Sequence, residues 1–307
     1  MPWGENSGML LVFVAMFVIL SFTVDNFCSS PNMIALALSV ATVGMLACTM
    51  LFCLASGDFD LSIEAVVAFS GVLAAVVANE TQSVALGMTA GVLAGGAVGV
   101  LNGTLIAKVG INALIVTLGT MQIVRGMGFI VSGGSAVSIV DPRFYTLGMQ
   151  NNLGIPNPVW ITLTCFVVFG ILLNKTKFGR HTLAIGGNRE AAHLAGVPVN
   201  RVKILIFTMQ GLMAGFAGVI MASRMTSGQP NSSQGLALDV ISACVLGGVS
   251  LSGGIGSMGG AVIGVLIMGT VQNAMNLSNV PTFYQYVARG LILLAAVGFD
   301  QWKRRRV

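Results

Sequence analysis

Two carboxylates, at Asp58 and Asp60, interrupt an otherwise apolar region in the stretch SGDFDLS, residues 56–62. Ionisable groups at membrane depth cost about 2.5–3.5 kcal/mol each on insertion scales, so they are functional candidates by default. No Lys or Arg adjoins them, although a cytoplasmic turn normally carries basic residues. We therefore expect a broken helix in which both carboxylates face or brace a polar pathway and Ser62 caps the next helix. The alternative is a surface turn in which Asp60 or Ser62 only caps that helix.

Further polar side chains interrupt other apolar runs. The additional candidates for lining such a pathway are Asn102, Gln122, Arg125 and Asn273. Arg125 lies about six residues from the end of its run, which is about 9 Å at 1.5 Å per residue. Its guanidinium therefore has the alternative of extending to the membrane surface. Asp239, at the start of a run, is typical of a helix-end carboxylate.

No arrangement of side chains typical of catalysis is visible. The chain contains no Gly-Lys pair and hence no phosphate-binding loop of the GxxxxGK[ST] type. His181 and His193 are twelve residues apart, and Glu190 is the one carboxylate at ligand spacing from them. We predict no catalytic residue, no metal site and no cofactor on this chain.

The composition is that of a membrane protein. Hydrophobic residues make up 55% of the chain and charged residues only 8%, whereas about a quarter of a soluble domain is charged. A transmembrane helix needs about 20 mostly apolar residues. The runs that meet or nearly meet this length are 8–23, 33–55, 62–79, 84–107, 112–131, 158–173, 203–222, 236–249, 259–276 and 283–300. They predict an all-α, polytopic membrane helix bundle of about ten transmembrane segments with broken helices.

The distribution of Lys and Arg predicts the orientation of the bundle. With ten spans and both termini in the cytoplasm, the inner side carries Lys108, six basic residues within 175–203 and four in KRRR, 303–306. The outer side then carries only Arg143 and Arg224. This asymmetry agrees with the positive-inside rule. Because the basic residues adjoin spans, they indicate membrane topology and not a nucleic-acid partner.

Glycine is the second compositional feature, with 40 residues. In GVLAGGAVGVLNG, Gly91, Gly95, Gly99 and Gly103 recur at every fourth position and therefore share one helix face. Such a face lets two transmembrane helices approach closely. We expect a helix–helix contact there.

The loop at 174–203 carries six of the fifteen Lys and Arg residues and both histidines. Within it, NREAAHLAG predicts a short helix with Asn188 as N-cap, Glu190 in the first turn and Gly196 at the C-terminal end. Ala191, Leu194 and Ala195 would form a small apolar face. Because so short a helix is unstable alone in water, it needs a partner surface. From the loop alone, a solvated loop that sets topology and a docking element for a soluble cytoplasmic subunit both remain open.

The stretch GRHTLAIGGNREAAHLAGVPVNRVK resembles the EAA loop of bacterial ABC-importer permeases, in the form found in sugar importers of the ribose type. Further motifs occur in the order of that family: SGDFDLS (56–62), LNGTLIAK (101–108), INALIVTLGTMQIVRG (111–126), SRMTSGQP (223–230), VLGGVSLSGGIGS (245–257) and YVARGLILLAAVGFD (286–300). Ribose-type members usually carry Pro-Phe in place of Asn112-Ala113 and an acidic residue near Ala237. With these differences, the pattern looks most like the L-arabinose permease branch.

The resemblance implies one ABC-importer transmembrane domain over 1–307, with 174–203 as the cytoplasmic coupling loop. The residues that match the coupling motif are Arg180, Gly186, Gly187, Asn188, Glu190, Ala191, Ala192 and Gly196. By this resemblance the chain is the non-enzymatic transmembrane subunit of an ATP-driven sugar importer, with a pentose such as L-arabinose as the expected substrate. ATP and Mg²⁺ would bind a separate ATPase subunit.

The partners that the resemblance implies are a second permease copy, cytoplasmic ABC ATPase subunits and a periplasmic sugar-binding protein. The expected location is the bacterial inner membrane, with many spans in the lipid bilayer. The alternative function is an ion-coupled secondary transporter with inverted repeats. A carboxylate–cation relay within the spans would favour that alternative.

Overall fold

The computed structural model describes residues 4–304, and their side chains from 7 to 298. Thirteen α-helices form most of this part of the chain. Their bounds are α1 Gly4–Thr23, α2 Ser30–Ala55, α3 Ile63–Thr81, α4 Val84–Thr104, α5 Ala113–Ser132, α6 Thr146–Met149, α7 Asn157–Lys175, α8 Lys177–Gly187, α9 Arg189–Leu194, α10 Val199–Met225, α11 Leu236–Leu246, α12 Met258–Leu277 and α13 Thr282–Arg304. A π-helical turn, Leu105–Val109, continues α4.

Each of the ten predicted apolar runs coincides with one of these helices. Seven helices are long and apolar enough to cross a membrane, namely α2, α3, α4 with its π-helical turn, α5, α7, α10 and α12. The apolar parts of α1, α11 and α13 are shorter. The all-α polytopic bundle is therefore confirmed. The 11 residues of α11 reach about 16 Å, which is too short to cross a bilayer alone.

The centre of the bundle is formed by α2, α3, α10 and α12. Their apolar windows are 56–67% buried within the chain, compared with 22–28% for α4, α5 and α7. Residues 43–55 of α2 are all buried, as expected for a helix that is apolar on every side. The outer helices therefore expose faces for lipid or for another protein.

Glycines fit α4 closely against α10, as the sequence predicts. Gly95 lies against Gly211 and Gly215, and Gly103 lies against Ile204. A Cβ at Gly99 would overlap the carbonyl oxygen of Phe207. The glycine face therefore lets the two backbones touch, as in small-xxx-small packing.

One end of the bundle carries Lys108, α8 and α9, and we call it the basic end. The opposite end carries a small cap, residues 133–156, in which β2 (Asn151–Asn152) pairs with β3 (Ile155–Pro156). Also at that end, β1 (Val137–Ser138) pairs antiparallel with β4 (Ser227–Gly228). The basic run KRRR, which was used to predict orientation, lies outside the residues whose side chains are described.

Candidate coupling surface and polar membrane cluster

The loop between α7 and α10 folds into two short helices at the basic end. The Asn188 Oδ1 accepts a hydrogen bond of 2.9 Å from the backbone N–H of Ala191 and so caps α9. At the other end, Gly196 adopts a φ of +82°, and the Val197 N–H donates to the Ala192 carbonyl. The predicted helix and both of its end signals are confirmed.

The sequence analysis did not predict α8, which lies within the predicted loop 174–203. Thr176 caps it by accepting a hydrogen bond from the Gly179 N–H. Its buried residues are Gly179, Thr182 and Ile185, whose spacing of three residues is helical. This spacing is the signal that could have revealed α8.

An apolar face on α9 points away from the bundle. Leu194 is 85% exposed, and Ala191 and Ala195 beside it are exposed too, whereas Ala192 is buried. A groove of about 620 Å³ adjoins α9 and is lined by Asn188, Arg189, Glu190, His193, Val199 and Asn200. The exposed apolar residues with a charged rim are suited to docking another protein.

Two adjacent glycines of the loop have opposite surroundings. A Cβ at Gly186 would overlap the Ala55 carbonyl oxygen and lie 2.5 Å from the Gly254 backbone nitrogen. The Gly254 N–H also donates a hydrogen bond of 2.9 Å to that carbonyl. At Gly187, no heavy atom of the described chain lies within 4 Å of a Cβ. Gly186 is therefore the point where α8 touches the end of α2 and the segment before α12.

Asp58 forms a buried ion pair with Lys203 in α10. The Lys203 Nζ lies 2.7 Å from the Asp58 carboxylate, and the two side chains are only 6% and 10% exposed. Lys203, which we assigned to the charged loop, therefore supplies the basic neighbour that Asp58 lacks along the chain. The ion pair joins the segment after α2 to α10.

Asp60 and Ser62 are linked to α4 in the same place. The Asp60 Oδ1 accepts hydrogen bonds from the Ser62 N–H and hydroxyl at 2.9 and 2.5 Å, and the Asn102 amide donates to the Ser62 hydroxyl at 3.0 Å. Ser62 itself makes no side-chain cap of α3, so that part of the prediction is wrong. All three residues are buried, and their hydrogen bonds link the start of α3 to α4.

The remaining pathway candidates have different surroundings. Asn273 forms a reciprocal amide pair with Asn32 of α2, with nitrogen–oxygen distances of 2.9 and 3.0 Å. Arg125 forms an ion pair with Glu64 of α3. Gln122 is exposed on α5. Of these three, Gln122 is the one that faces out of the described chain.

A polar cluster that the sequence analysis did not predict lies where α11 begins. The Gly235 N–H donates a hydrogen bond of 2.9 Å to the second carboxylate oxygen of Glu64. One turn later, Asp239 pairs with Arg289 of α13 at 3.1 Å. The eight-residue stretch GQPNSSQG before α11 contains no large apolar residue. This polar composition is the sequence signal that could have indicated the cluster.

Comparison with known proteins finds relatives over nearly the whole chain. The chain is 59% identical to the L-arabinose transport system permease protein AraH of Escherichia coli (strain K12), over 98% of the chain and 92% of that protein. It is 57% identical to the L-arabinose ABC transporter permease protein AraH of Azospirillum brasilense, over 98% and 89%. The ribose import permease protein RbsC of Bacillus subtilis (strain 168) is 39% identical, over 97% and 94%.

No solved structure matches the chain significantly. The family described as "Branched-chain amino acid transport system / permease component" matches residues 32–297, which include every membrane helix except α1 and the end of α13. The chain therefore belongs to this family of multi-pass membrane permeases.

Proposed function

We propose that this chain is the transmembrane subunit of an ATP-driven sugar importer, with a pentose such as L-arabinose as its substrate. The observation that carries the proposal is the 57–59% identity, over nearly the whole chain, to two L-arabinose permeases. Ribose permeases are also similar, at lower identity. These relatives favour a sugar over the branched-chain amino acids that the family description mentions.

The proposed complex sits in the bacterial inner membrane with the basic end and both termini in the cytoplasm. Cytoplasmic ATPase subunits bind ATP and Mg²⁺ and dock on α9, and a periplasmic sugar-binding protein delivers the sugar to the opposite end. The exposed Leu194 and the charged rim around α9 support the first of these partners.

A second copy of the chain completes the pathway in this proposal. On α5, Gly119 and Gly126 have no heavy atom of the described chain within 4 Å of a Cβ, and Gln122 between them is exposed. A polar amide facing lipid is costly, whereas a second copy or a wet pathway would accommodate it.

Coupling runs from α9 through α8 to the membrane helices. An ATPase that moves α9 also moves α8, because only Asn188 separates the two helices. Through Gly186, α8 pushes on the end of α2 and on the segment before α12. In this proposal, the segment from Asn188 to Gly196 docks the ATPase and Gly186 transmits the motion.

One structural observation favours the alternative, an ion-coupled secondary transporter. The described chain contains three carboxylate–cation pairs near or within the membrane helices: Asp58–Lys203, Glu64–Arg125 and Asp239–Arg289. Charged side chains within membrane spans pair with one another, and in transporters they mark substrate or ion pathways, proton relays among them. The energy source, ATP or an ion gradient, therefore distinguishes an ABC importer from an ion-coupled transporter.

Dependence on an external ATPase is the first testable prediction. Proteoliposomes that contain this chain alone, under a sodium or proton gradient, should not accumulate radiolabelled L-arabinose. Addition of the ATPase subunits, the binding protein and ATP should start uptake, and a non-hydrolysable ATP analogue should not. Gradient-driven uptake by the chain alone would establish the ion-coupled alternative in its place.

The second prediction concerns docking through α9. Glu190→Lys should leave membrane insertion intact, because this side chain is exposed and the change lies outside the spans. It should lower the amount of co-purified ATPase at least tenfold and abolish uptake, since it reverses a charge at a docking rim and opposes the helix dipole.

The matched control replaces His181, which does not line the groove beside α9, by Gln in the same loop. We expect that variant to retain most of its uptake and its ATPase. If Glu190→Lys co-purifies with the ATPase at the wild-type ratio, α9 is not the docking helix.

A further inference from the structure

The segment that joins α10 to α11, residues 226–235, runs along α3 without forming a helix. Gly228 rests against Val72, and Ser233 donates a hydrogen bond of 2.7 Å to the Glu64 carbonyl. From Val72 to Glu64, the segment follows α3 for about 12 Å at 1.5 Å per residue. Irregular backbone at this depth is tolerated only where it is buried in protein or lines a wet cavity. Asn231 and Gln234 are exposed in this segment, so a wet cavity or another protein must lie beside it.

Opposite charges meet at the deep end of this segment. Gly235 donates to Glu64, and a Cβ on Gly235 would lie 3.9 Å from an Arg289 guanidinium nitrogen. The Glu64–Arg125 and Asp239–Arg289 pairs therefore lie on either side of Gly235. Two carboxylates and two guanidinium groups give this neighbourhood no net charge, so neither an anion nor a cation is favoured as a ligand.

Two polar atoms here lack partners. Asp239 Oδ1 and Arg289 Nε are buried and form no hydrogen bond with the described residues, and the Gln272 side chain lies beside the Asp239 carboxylate. Asp239 as a whole is only 5% exposed. An unsatisfied buried polar atom costs about 1–3 kcal/mol, so Asp239 Oδ1 and Arg289 Nε favour a ligand or ordered water that completes them.

We infer that this cluster, formed by Glu64, Arg125, Asp239, Gln272 and Arg289, is a contact site for a neutral polyhydroxyl ligand on its way through the membrane. A sugar hydroxyl both donates and accepts, so one pentose satisfies an open carboxylate oxygen and an open N–H group together. Tyr286, below the Arg289 guanidinium at 5.8 Å, offers a ring for the apolar face of the sugar. The identity of the ligand rests on the proposed function.

A ligand reaches the cluster from the side on which the two guanidinium groups lie. The Arg125 side chain is 29% exposed and the Arg289 side chain 24% exposed, whereas their carboxylate partners are 11% and 8% exposed. A ligand that approaches the cluster from outside the described chain therefore meets the arginines first and reaches Asp239 behind them.

A labelling experiment on the full-length chain in lipid nanodiscs tests the site without any partner protein. Cys28 and Cys165, the cysteines that are not buried, are changed to Ser, and Gln234→Cys introduces one thiol into the segment. We expect millimolar L-arabinose to slow maleimide labelling of this thiol at least threefold and saturably. Glu80→Cys, at the exposed end of α3, is the control and should label at the same rate with and without sugar.

Gln272→Leu in the Gln234→Cys chain removes the amide beside Asp239 while keeping the side chain similar in size. It should raise the half-protecting sugar concentration about tenfold, and Asp239→Asn serves as the second variant if this one fails to insert. The inference is overturned if L-arabinose does not slow labelling, slows the control equally, or protects both variants as well as the parent.

Uptake by the wild-type importer tests the proposed function separately from the proposed sugar site. If ATP-driven pentose uptake occurs but the sugar protects no thiol at position 234, the site is wrong and the proposed function stands. If the wild-type complex imports no pentose, the proposed function fails whatever the labelling shows.

Discussion

Gly186→Ala is expected to abolish ATP-driven uptake, whereas Gly187→Ala one position later should retain most of it. A methyl group at Gly186 would collide with the Ala55 carbonyl oxygen and crowd the Gly254 backbone nitrogen. Because these are backbone atoms and not the ends of flexible side chains, relief requires α8 to move away from α2. We expect the hydrogen bond between Gly254 and Ala55 to weaken and the stimulation of ATPase activity by the loaded binding protein to be lost.

Two measurements check this prediction: uptake in proteoliposomes, and the ATPase rate with and without binding protein and sugar. The Gly187→Ala variant is the matched control, since a Cβ there meets no heavy atom of the described chain within 4 Å. Equal uptake by the two variants would show that the contact between α8 and α2 does not transmit motion.

Lys203→Met is expected to destabilise the protein by about 3–5 kcal/mol, because it leaves the Asp58 carboxylate buried without its partner. The double variant Asp58→Asn, Lys203→Met should recover much of this loss, since no uncompensated charge remains. The measurement is the midpoint of thermal unfolding in detergent, together with the amount of folded protein in the membrane.

An exposed ion pair supplies the control for this second prediction. Hydrogen bonds from Arg143 lower the pKa of Asp141 below its usual value, yet the Arg143 side chain is 78% exposed. Asp141→Asn should therefore leave the unfolding midpoint unchanged, because water and salt screen such pairs. A Lys203→Met midpoint that matches the wild type would mean that the Asp58–Lys203 pair contributes nothing to stability.

Much of the fold was predictable because apolar runs and local end signals act over short distances. Ten runs predicted ten helices, and Asn188 and Gly196 predicted both ends of α9. Glycine spacing predicted the face of α4, although it did not identify α10 as the helix that covers it.

The polar contacts of the membrane helices were not predictable in the same way. Lys203 and Asp58 are far apart in sequence, and only the packing of α10 beside α2 brings them together. From the sequence, Lys203 counts as the last basic residue of the charged loop and the first residue of the apolar run 203–222. Asp239 was interpreted as a helix-end carboxylate, which is its local position, but its pairing with Arg289 depends on where α13 packs.

The fit between α4 and α10 has a consequence for synthesis in the membrane. The ribosome makes the α4 glycines about 100 residues before the α10 surface that covers Gly95, Gly99 and Gly103. At about 5–20 residues per second, α4 therefore waits roughly 5–20 s for its partner. Gly87 and Gly91 pack against α3, which is already in the bilayer. α3 therefore holds α4 as a nascent hairpin while the remaining glycines stay open to lipid until α10 arrives.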